Sequence, residues 1–349
     1  MARYRSIRNK AFSLLFDTKT TWIVLSLAVG FIALMILSIG VGQLWISPID
    51  VVKSMFGYGE DMQNLVVRSF RMPRIILALL AGAGLALSGA ILQGIIRNPL
   101  ASPDIIGITG GAAVATVGFL AAFSDRSNSL TVSIHWMPLA SFLGAVIMGF
   151  LVYLLAWRQG VSPIRLVLIG IGLSAAAQAF TTMMMILGPI FTASKANIWI
   201  TGSVNGTNWS EITTLLPWMG ILFIAVFIMA RRLNIQELGA DVATGAGSKV
   251  QKDRMLLLFL STALAGGSVA FAGGIGFVGL MAPHIARKLV GSSFGGLLMV
   301  SALIGGIVVM GADLIARTAF APLEVPAGVF TSAIGAPYFI YLLYRNRNK

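Results

Sequence analysis

Residues 255–283 read MLLLFLSTALAGGSVAFAGGIGFVGLMAP, a run of 29 residues without a charged side chain. A membrane-spanning helix needs about 20 apolar residues, because it must cross a hydrocarbon core about 30 Å thick. The run is too long for one untilted span, and its six glycines allow the chain to turn. We therefore predict two short spans that meet near residues 272–274.

Apolar stretches of spanning length flank this run on both sides. They cover residues 22–41, 75–96, 105–123, 137–157, 166–191, 212–230, 297–316 and 325–343. The composition agrees, with 57% hydrophobic residues, 11% charged residues and a mean hydropathy of +0.88. Helices satisfy their own backbone hydrogen bonds in lipid, so we predict an all-α polytopic membrane protein with about ten transmembrane helices. Residues 1–349 are expected to form a single transmembrane domain.

Basic residues indicate how these spans are oriented. The net charge is +13, but the Lys and Arg residues form short clusters between apolar stretches, a pattern that does not indicate nucleic-acid binding. With ten spans and a cytoplasmic N-terminus, 18 of the 25 basic residues lie on the inner side. Nine spans would move five of these to the outside. The positive-inside rule therefore favours ten spans with both termini in the cytoplasm.

The sequence contains an internal repeat. AGAGLALSGAILQGIIRNP (81–99) aligns with AGGSVAFAGGIGFVGLMAP (265–283) at a constant offset of 184 residues. In the ten-span topology the two copies cross the membrane in opposite directions. Spans two to five and seven to ten are thus predicted to be inverted repeats, a common design of transporters. The Gly and Ala residues of both copies favour close helix packing.

One charged segment separates the sixth and seventh spans. It reads RRLNIQELGADVATGAGSKVQKDR (231–254), and the topology makes it cytoplasmic. Spacings of three and four residues predict one short helix with an apolar stripe, after which glycines break the helix and Ser248 caps a second short turn near Lys249. The stripe comprises Ile235, Leu238, Val242 and Ala246, and the breaking glycines are Gly245 and Gly247. Five basic and three acidic residues favour a protein-contacting knob over a helix lying on lipid headgroups.

Several kinds of chemistry are excluded by residue types. The chain has no cysteine, so disulfides and thiolate metal sites are impossible. It also has no Gly-Lys pair, so it lacks the phosphate-binding loop of ATPases. Any ATP hydrolysis must therefore occur on another chain. His135 and His284 have no ligand-type neighbours in sequence, and we assign neither a metal site nor a catalytic residue to this protein.

Charges at membrane depth need partners. Asp313 lies inside an apolar stretch, where a carboxylate costs about 2.5–3.5 kcal/mol on insertion scales. Arg317 follows one helical turn later and is predicted to pair with it. Arg68, Arg71 and Arg74 crowd the outer end of the second span, and Arg317 lies at the outer end of the ninth. They form either solvated side chains or a docking surface for acidic groups of an external protein.

Six stretches together carry a resemblance to a family. They read RMPR (71–74), SGAILQGIIRNPLASPDIIGITGGA (88–112), LGADVATGAGSKV (238–250), AGGIGFVGLMAPHIARKLVG (272–291), ADLIAR (312–317) and LEVPAGVFTSAIGAPYFIYLL (323–343). The chain resembles the permease subunits of ATP-binding cassette importers for iron-siderophore complexes, haem and cobalamin. Before residue 65 it matches only as a span.

The resemblance implies a multi-pass permease of the bacterial cell membrane that imports an iron(III)-siderophore complex, with haem or cobalamin as alternative substrates. It implies a second permease chain, identical or related, an extracytoplasmic substrate-binding protein, and two ATPase subunits that bind ATP and Mg²⁺. This chain itself would bind no cofactor and catalyse no bond chemistry. An ion-coupled secondary transporter is the rival reading, but it would need further ionisable sites at the membrane midplane.

The resemblance also implies two functional sites. Residues that would couple to the ATPase are Leu238, Gly239, Ala240, Asp241, Val242, Ala243, Gly245, Gly247 and Val250. Residues that would contact acids of the binding protein are Arg71, Arg74 and Arg317. The chain departs from the family pattern at Ala240, where an acid is common, and at Ala246 and Ser248, which replace bulkier apolar residues.

Overall fold

The computed structural model describes residues 4–8, 13–124, 130–158, 160–188 and 190–346. A short antiparallel hairpin, Tyr4–Arg8 with Ser13–Asp17, precedes a bundle of helices and was not predicted. The helices are α1 (Thr18–Gly40), α2 (Pro48–Met55), α3 (Asp61–Leu65), α4 (Met72–Ile96), α5 (Pro103–Ile106), α6 (Ile108–Ala122), α7 (Met137–Ala156), α8 (Pro163–Leu187), α9 (Ile190–Thr201), α10 (Trp209–Glu237), α11 (Ala240–Gly245), α12 (Val250–Ala272), α13 (Val278–Val290), α14 (Phe294–Ala319) and α15 (Ala327–Asn346). A π-helical turn (Val66–Arg71) joins α3 to α4, and a 3-10 turn (Ile134–Trp136) precedes α7.

The long uncharged run is split in two, as predicted. Helix α12 ends at Ala272, and α13 begins at Val278. Between them Gly273 and Phe277 have positive φ angles of 69° and 65°, which end the first helix and redirect the chain. The boundaries differ from the prediction, because α12 starts inside the charged segment and α13 continues beyond residue 283 to Val290.

Eight helices within the described residues are long and apolar enough to cross a membrane, and the chain is a multi-pass membrane protein. The two remaining predicted spans are short helices, α6 with 15 residues and α13 with 13. The third predicted span is broken at Gly107 into α5 and α6. The fifth was predicted too long: α8 ends at Leu187, and α9 follows as a separate helix that the sequence analysis missed.

Packing between the helices agrees with the inverted repeat. Gly82 in α4 lies directly against the backbone of Gly305 in α14, with no room for a Cβ atom. Its counterpart Gly266, 184 residues later in α12, lies against α7, where an added Cβ would come within 2.9 Å of the Ala145 Cβ. Helix α4 therefore pairs with α14 and α12 pairs with α7. Two repeats that exchange partners about a two-fold axis would pack in this way.

The centre of the bundle is the crossing of α4 and α12. The Ser88 hydroxyl lies 2.8 Å from the Ser261 carbonyl oxygen, and the Ser261 hydroxyl donates to the Ser88 carbonyl oxygen at 3.1 Å. Both side chains are buried, so this paired hydrogen bond leaves neither hydroxyl unsatisfied in an apolar interior. Helices α1 and α8, by contrast, expose most of their apolar side chains, as helices that face lipid do.

The bundle has two distinct ends. The α11 end carries the segment 231–254, together with the ends of α4 and α13 at Ile96 and Val290. The opposite end, which we call the arginine end, carries Arg71, Arg74 and Arg317, together with the C-terminus of α1 at Gly40. The two predicted sites therefore lie at opposite ends of the molecule.

Candidate coupling segment and arginine cluster

The segment at the α11 end does not carry its predicted stripe on one short helix. Helix α10 continues from the transmembrane region to Glu237, so Ile235 belongs to α10 and Leu238 to its C-cap. Gly239 then adopts a φ of 109°, which interrupts the helix before α11 begins. The prediction was wrong because the sequence 231–237 extends an existing helix instead of starting a new one.

The second predicted short turn is the beginning of a long helix. Lys249 is the N-cap residue of α12, and no side chain caps this helix end by hydrogen bonding. Ser248, the predicted cap, instead donates from its hydroxyl to the Asp253 carboxylate at 2.8 Å. The segment is thus a six-residue helix, α11, set between two transmembrane helices.

Polar contacts hold this segment against the rest of the bundle. Asp253 is only 3% exposed and also accepts a hydrogen bond from the Arg232 guanidinium on α10. Glu237 at the end of α10 pairs with Arg287 on α13 at 2.5 Å. Charge-assisted bonds of this kind are stronger than neutral ones, so the three helices are joined firmly where the segment leaves the bundle.

Two apolar side chains of the segment point away from the bundle. Leu238 is 65% exposed and Val242 is 56% exposed. Ala243 and Val250 are buried and hold α11 in place, whereas Asp241, Gly245 and Gly247 lie at the surface. Gly239 is buried, and Ala240 is half-buried. A pair of exposed apolar side chains on a firmly held helix is suited to contact with another protein.

At the arginine end, Arg71 and Arg317 bind the C-terminus of α1. Arg71 donates to the carbonyl oxygens of Ile39 at 2.5 Å and Leu44 at 2.7 Å, and Arg317 donates to that of Val41 at 2.6 Å. Arg71 also reaches Gly40, and Arg317 reaches Ser38. The last carbonyls of a helix have no partners within it, and the two guanidinium groups satisfy them here.

Arg74 connects three parts of the chain. Its Nε and Nη2 atoms donate to Asp313 at 2.9–3.1 Å, and its Nη1 atom donates to Asn205 at 3.1 Å and Glu324 at 3.2 Å. The predicted pair of Asp313 with Arg317 also exists, at 3.6 Å. Arg74 is nevertheless the closer partner, because it approaches the carboxylate with two donors.

The structure brings the three predicted docking arginines together. They line a cleft of about 550 Å³ that also contains Asn205, and Glu324 is the one acidic residue among the described residues that line it. Arg68 is not part of the cleft; its carbonyl oxygen accepts a hydrogen bond from the Trp209 indole at 2.7 Å. Asn205 and Glu324 were missed by the sequence analysis because nothing in the spacing links their loops to Arg74.

The two histidines are placed apart. His284 packs against the Tyr338 ring with the ring centroids 5.9 Å apart, and His135 lines a different cavity near the start of α7. Among the described residues, no three His, Asp or Glu side chains gather as potential metal ligands. The chemistry of the two sites is therefore that of apolar contact and ion pairing.

Comparison with known proteins agrees with this architecture. Residues 30–345 match the FecCD transport family. The chain is 60% identical to the probable siderophore transport system permease protein YfhA of Bacillus subtilis, over 95% of this chain and 96% of that protein. It is 45% identical to the achromobactin transport system permease protein CbrC of Dickeya dadantii, over 91% of this chain and 89% of that one.

A solved structure has the same fold. It is assigned to the metal-chelate type of ABC transporter, in an inward-facing conformation, and superposes on this chain with a TM-score of 0.82. The two sequences are 30% identical, and the match covers 93% of this chain and 99% of the other. Sequence and fold agree over nearly the whole length, and this protein is a member of the FecCD transport family.

Proposed function

We propose that this chain is the membrane-spanning permease of a bacterial ATP-binding cassette importer that moves an iron(III)-siderophore complex into the cytoplasm. Its relatives support the substrate class, since they include permeases for siderophores, for achromobactin and for iron(3+)-hydroxamate. The chain lacks a phosphate-binding loop, so energy must come from ATP and Mg²⁺ bound by separate ATPase subunits. The permease responds by alternating access and forms no covalent bond itself.

The observation that carries this proposal is the exposed apolar pair Leu238 and Val242 on a firmly held helix. An ATPase that buried both side chains could transmit its movement, because α11 is joined directly to α10 and α12 and tied to α13 through Glu237. The α11 end then faces the cytoplasm, as do both termini. Two ATPase subunits would contact two permease chains, this one and an identical or related copy.

The opposite end then faces the outside and receives the substrate-binding protein. Its cleft carries three arginines, and their charge would steer acidic side chains of that protein into register. Exposed ion pairs contribute only about 0–1 kcal/mol each, so this surface is expected to govern orientation and association rate more than affinity.

Reconstitution in lipid vesicles tests the proposal. The permease is purified with the ATPase and binding protein encoded beside it, and uptake of radioactive iron as a ferric siderophore is followed. We expect uptake to require ATP on the α11 side and binding protein on the arginine side. Uptake by the permease without any ATPase would instead indicate an ion-coupled transporter.

A further inference from the structure

Arg74 holds two carboxylates of very different exposure. Asp313 is 2% exposed and receives two donors of the guanidinium, which makes it a permanent partner. The Glu324 side chain is 42% exposed and shares the remaining Nη1 atom with Asn205. The bond to Glu324 is therefore the one that solvent, or another acid, can replace.

The cleft around Arg74 suits exactly one kind of additional ligand, a carboxylate. Arg71 and Arg317 line it beside Arg74, and their charges are compensated mainly by backbone carbonyl oxygens of α1. Glu324 supplies the acidic group within the described lining. In the permease alone, an acid from the same chain thus occupies the position that an acid of an external protein would take.

Glu324 also lies on a segment that can transmit the exchange. It belongs to the connection between α14 and α15, two residues before Pro326. At the start of α15, the Gly328 amide donates to the Gly202 carbonyl oxygen at 3.0 Å, just after α9. Release of Glu324 would free this connection from Arg74 and, through Arg74, from the loop that carries Asn205.

We infer that Glu324 is an internal substitute for a docking carboxylate, and that an acidic side chain of the substrate-binding protein displaces it from Arg74. The inference rests on the proposed function, since it requires a binding protein that docks at the arginine end. Docking is then an exchange of ion pairs and not a simple gain. It loosens the connection between α14 and α15 when the binding protein arrives.

The test measures the Kd of the binding protein for the assembled permease and ATPase complex carrying Glu324→Gln. Removal of the competing carboxylate should lower the Kd about two- to fivefold at low salt, as expected for one exposed ion pair. The matched control is Glu60→Gln, an exposed acid between α2 and α3 whose side chain contacts Gln63. Its Kd should equal that of the wild type.

Two further measurements keep the outcomes separate. In an Arg74→Gln background, Glu324→Gln should no longer lower the Kd, because the bond it removes is already lost. Glu324→Ala should behave like Glu324→Gln, and equal unfolding temperatures check that both variants fold. Wild-type docking with an unchanged or raised Kd for Glu324→Gln would overturn the inference alone. Failure of the wild type to dock would overturn the proposed function with it.

Discussion

The two ends of the bundle use charged side chains in opposite ways. At the α11 end, the ion pairs lie beneath the surface and hold a helix that presents the apolar side chains of Leu238 and Val242. At the arginine end, the charged groups themselves line the cleft, and each guanidinium already has partners within the chain.

This difference determines what a partner gains at each end. A protein that binds the α11 end removes exposed apolar surface from water, which is favourable without breaking any existing bond. A protein that binds the arginine end must compete with internal acceptors. Substitutions at the first end should therefore change partner affinity, whereas those at the second should change stability as well as docking.

The largest effect is expected for Asp313→Asn. The substitution removes the buried charge shared by Arg74 and Arg317 and leaves two poorly exposed guanidinium groups without it. Breaking a buried pair in this way costs about 3–5 kcal/mol. Unfolding of the purified protein in detergent measures the loss, with the exposed acid change Asp61→Asn as the control. A variant as stable as the wild type would show that Asp313 does not organise the arginine end.

The next effect concerns partner binding at the α11 end. Leu238→Glu combined with Val242→Glu should weaken binding of the ATPase about 30-fold or more, because truncating or charging a contact centre costs at least about 2 kcal/mol. Both side chains are exposed, so the permease should unfold at an unchanged temperature. Affinity for the purified ATPase measures the loss.

The control for this pair is Lys252→Glu, an equally exposed charge change on the first turn of α12. It should leave ATPase affinity within about twofold of the wild type, since surface changes away from a contact cost little. Full retention of ATPase binding by the double variant would contradict the coupling role. The segment would then be better described as a helix lying on lipid headgroups.

Asp253→Asn is expected to have a smaller effect than Asp313→Asn. Asp253 is equally buried, but its partner Arg232 has a side chain that is 49% exposed and remains solvated when the pair is lost. The cost should be about 1.5 kcal/mol, that of a hydrogen bond to a charged group. Unfolding in detergent measures it beside Asp313→Asn. Equal losses would show that the two buried acids do comparable work and that the ends differ less than their geometry indicates.

Much of the fold could be predicted from composition and length. The spans follow from apolar runs, and the split of 255–283 follows from its length and from the positions of basic residues. Helix α9 could not be separated from α8, because residues 187–191 are apolar and only Gly188 with the following proline marks the break. Hydropathy records burial in lipid but not the point at which a helix changes direction.

The sites were predictable only where contacts are local. Arg317 follows Asp313 by one turn, so helical spacing indicates their pairing. Arg74 lies 239 residues from Asp313 and 250 from Glu324, and no spacing rule connects positions that distant. The apolar stripe failed for a related reason, since periodicity cannot show that Gly239 divides it between two helices.

The smallest effect separates the two roles of the outer arginines. Arg71→Gln with Arg317→Gln removes two positive charges from the cleft, while each amide can still donate to α1 carbonyl oxygens. Association of the binding protein should slow about fivefold at low salt, because the charges steer the encounter. Near 1 M salt, where the screening length is about 3 Å, the two rates should converge.

The control is Arg68→Gln, which removes an exposed charge at the same end but outside the cleft. It should slow association less than the double variant, since steering depends on charge at the contact. A defect of the double variant that persists near 1 M salt would have a different cause. Loss of the α1 contacts would then have altered the shape of the surface, and the arginines would serve docking through the position of α1 instead of through their charge.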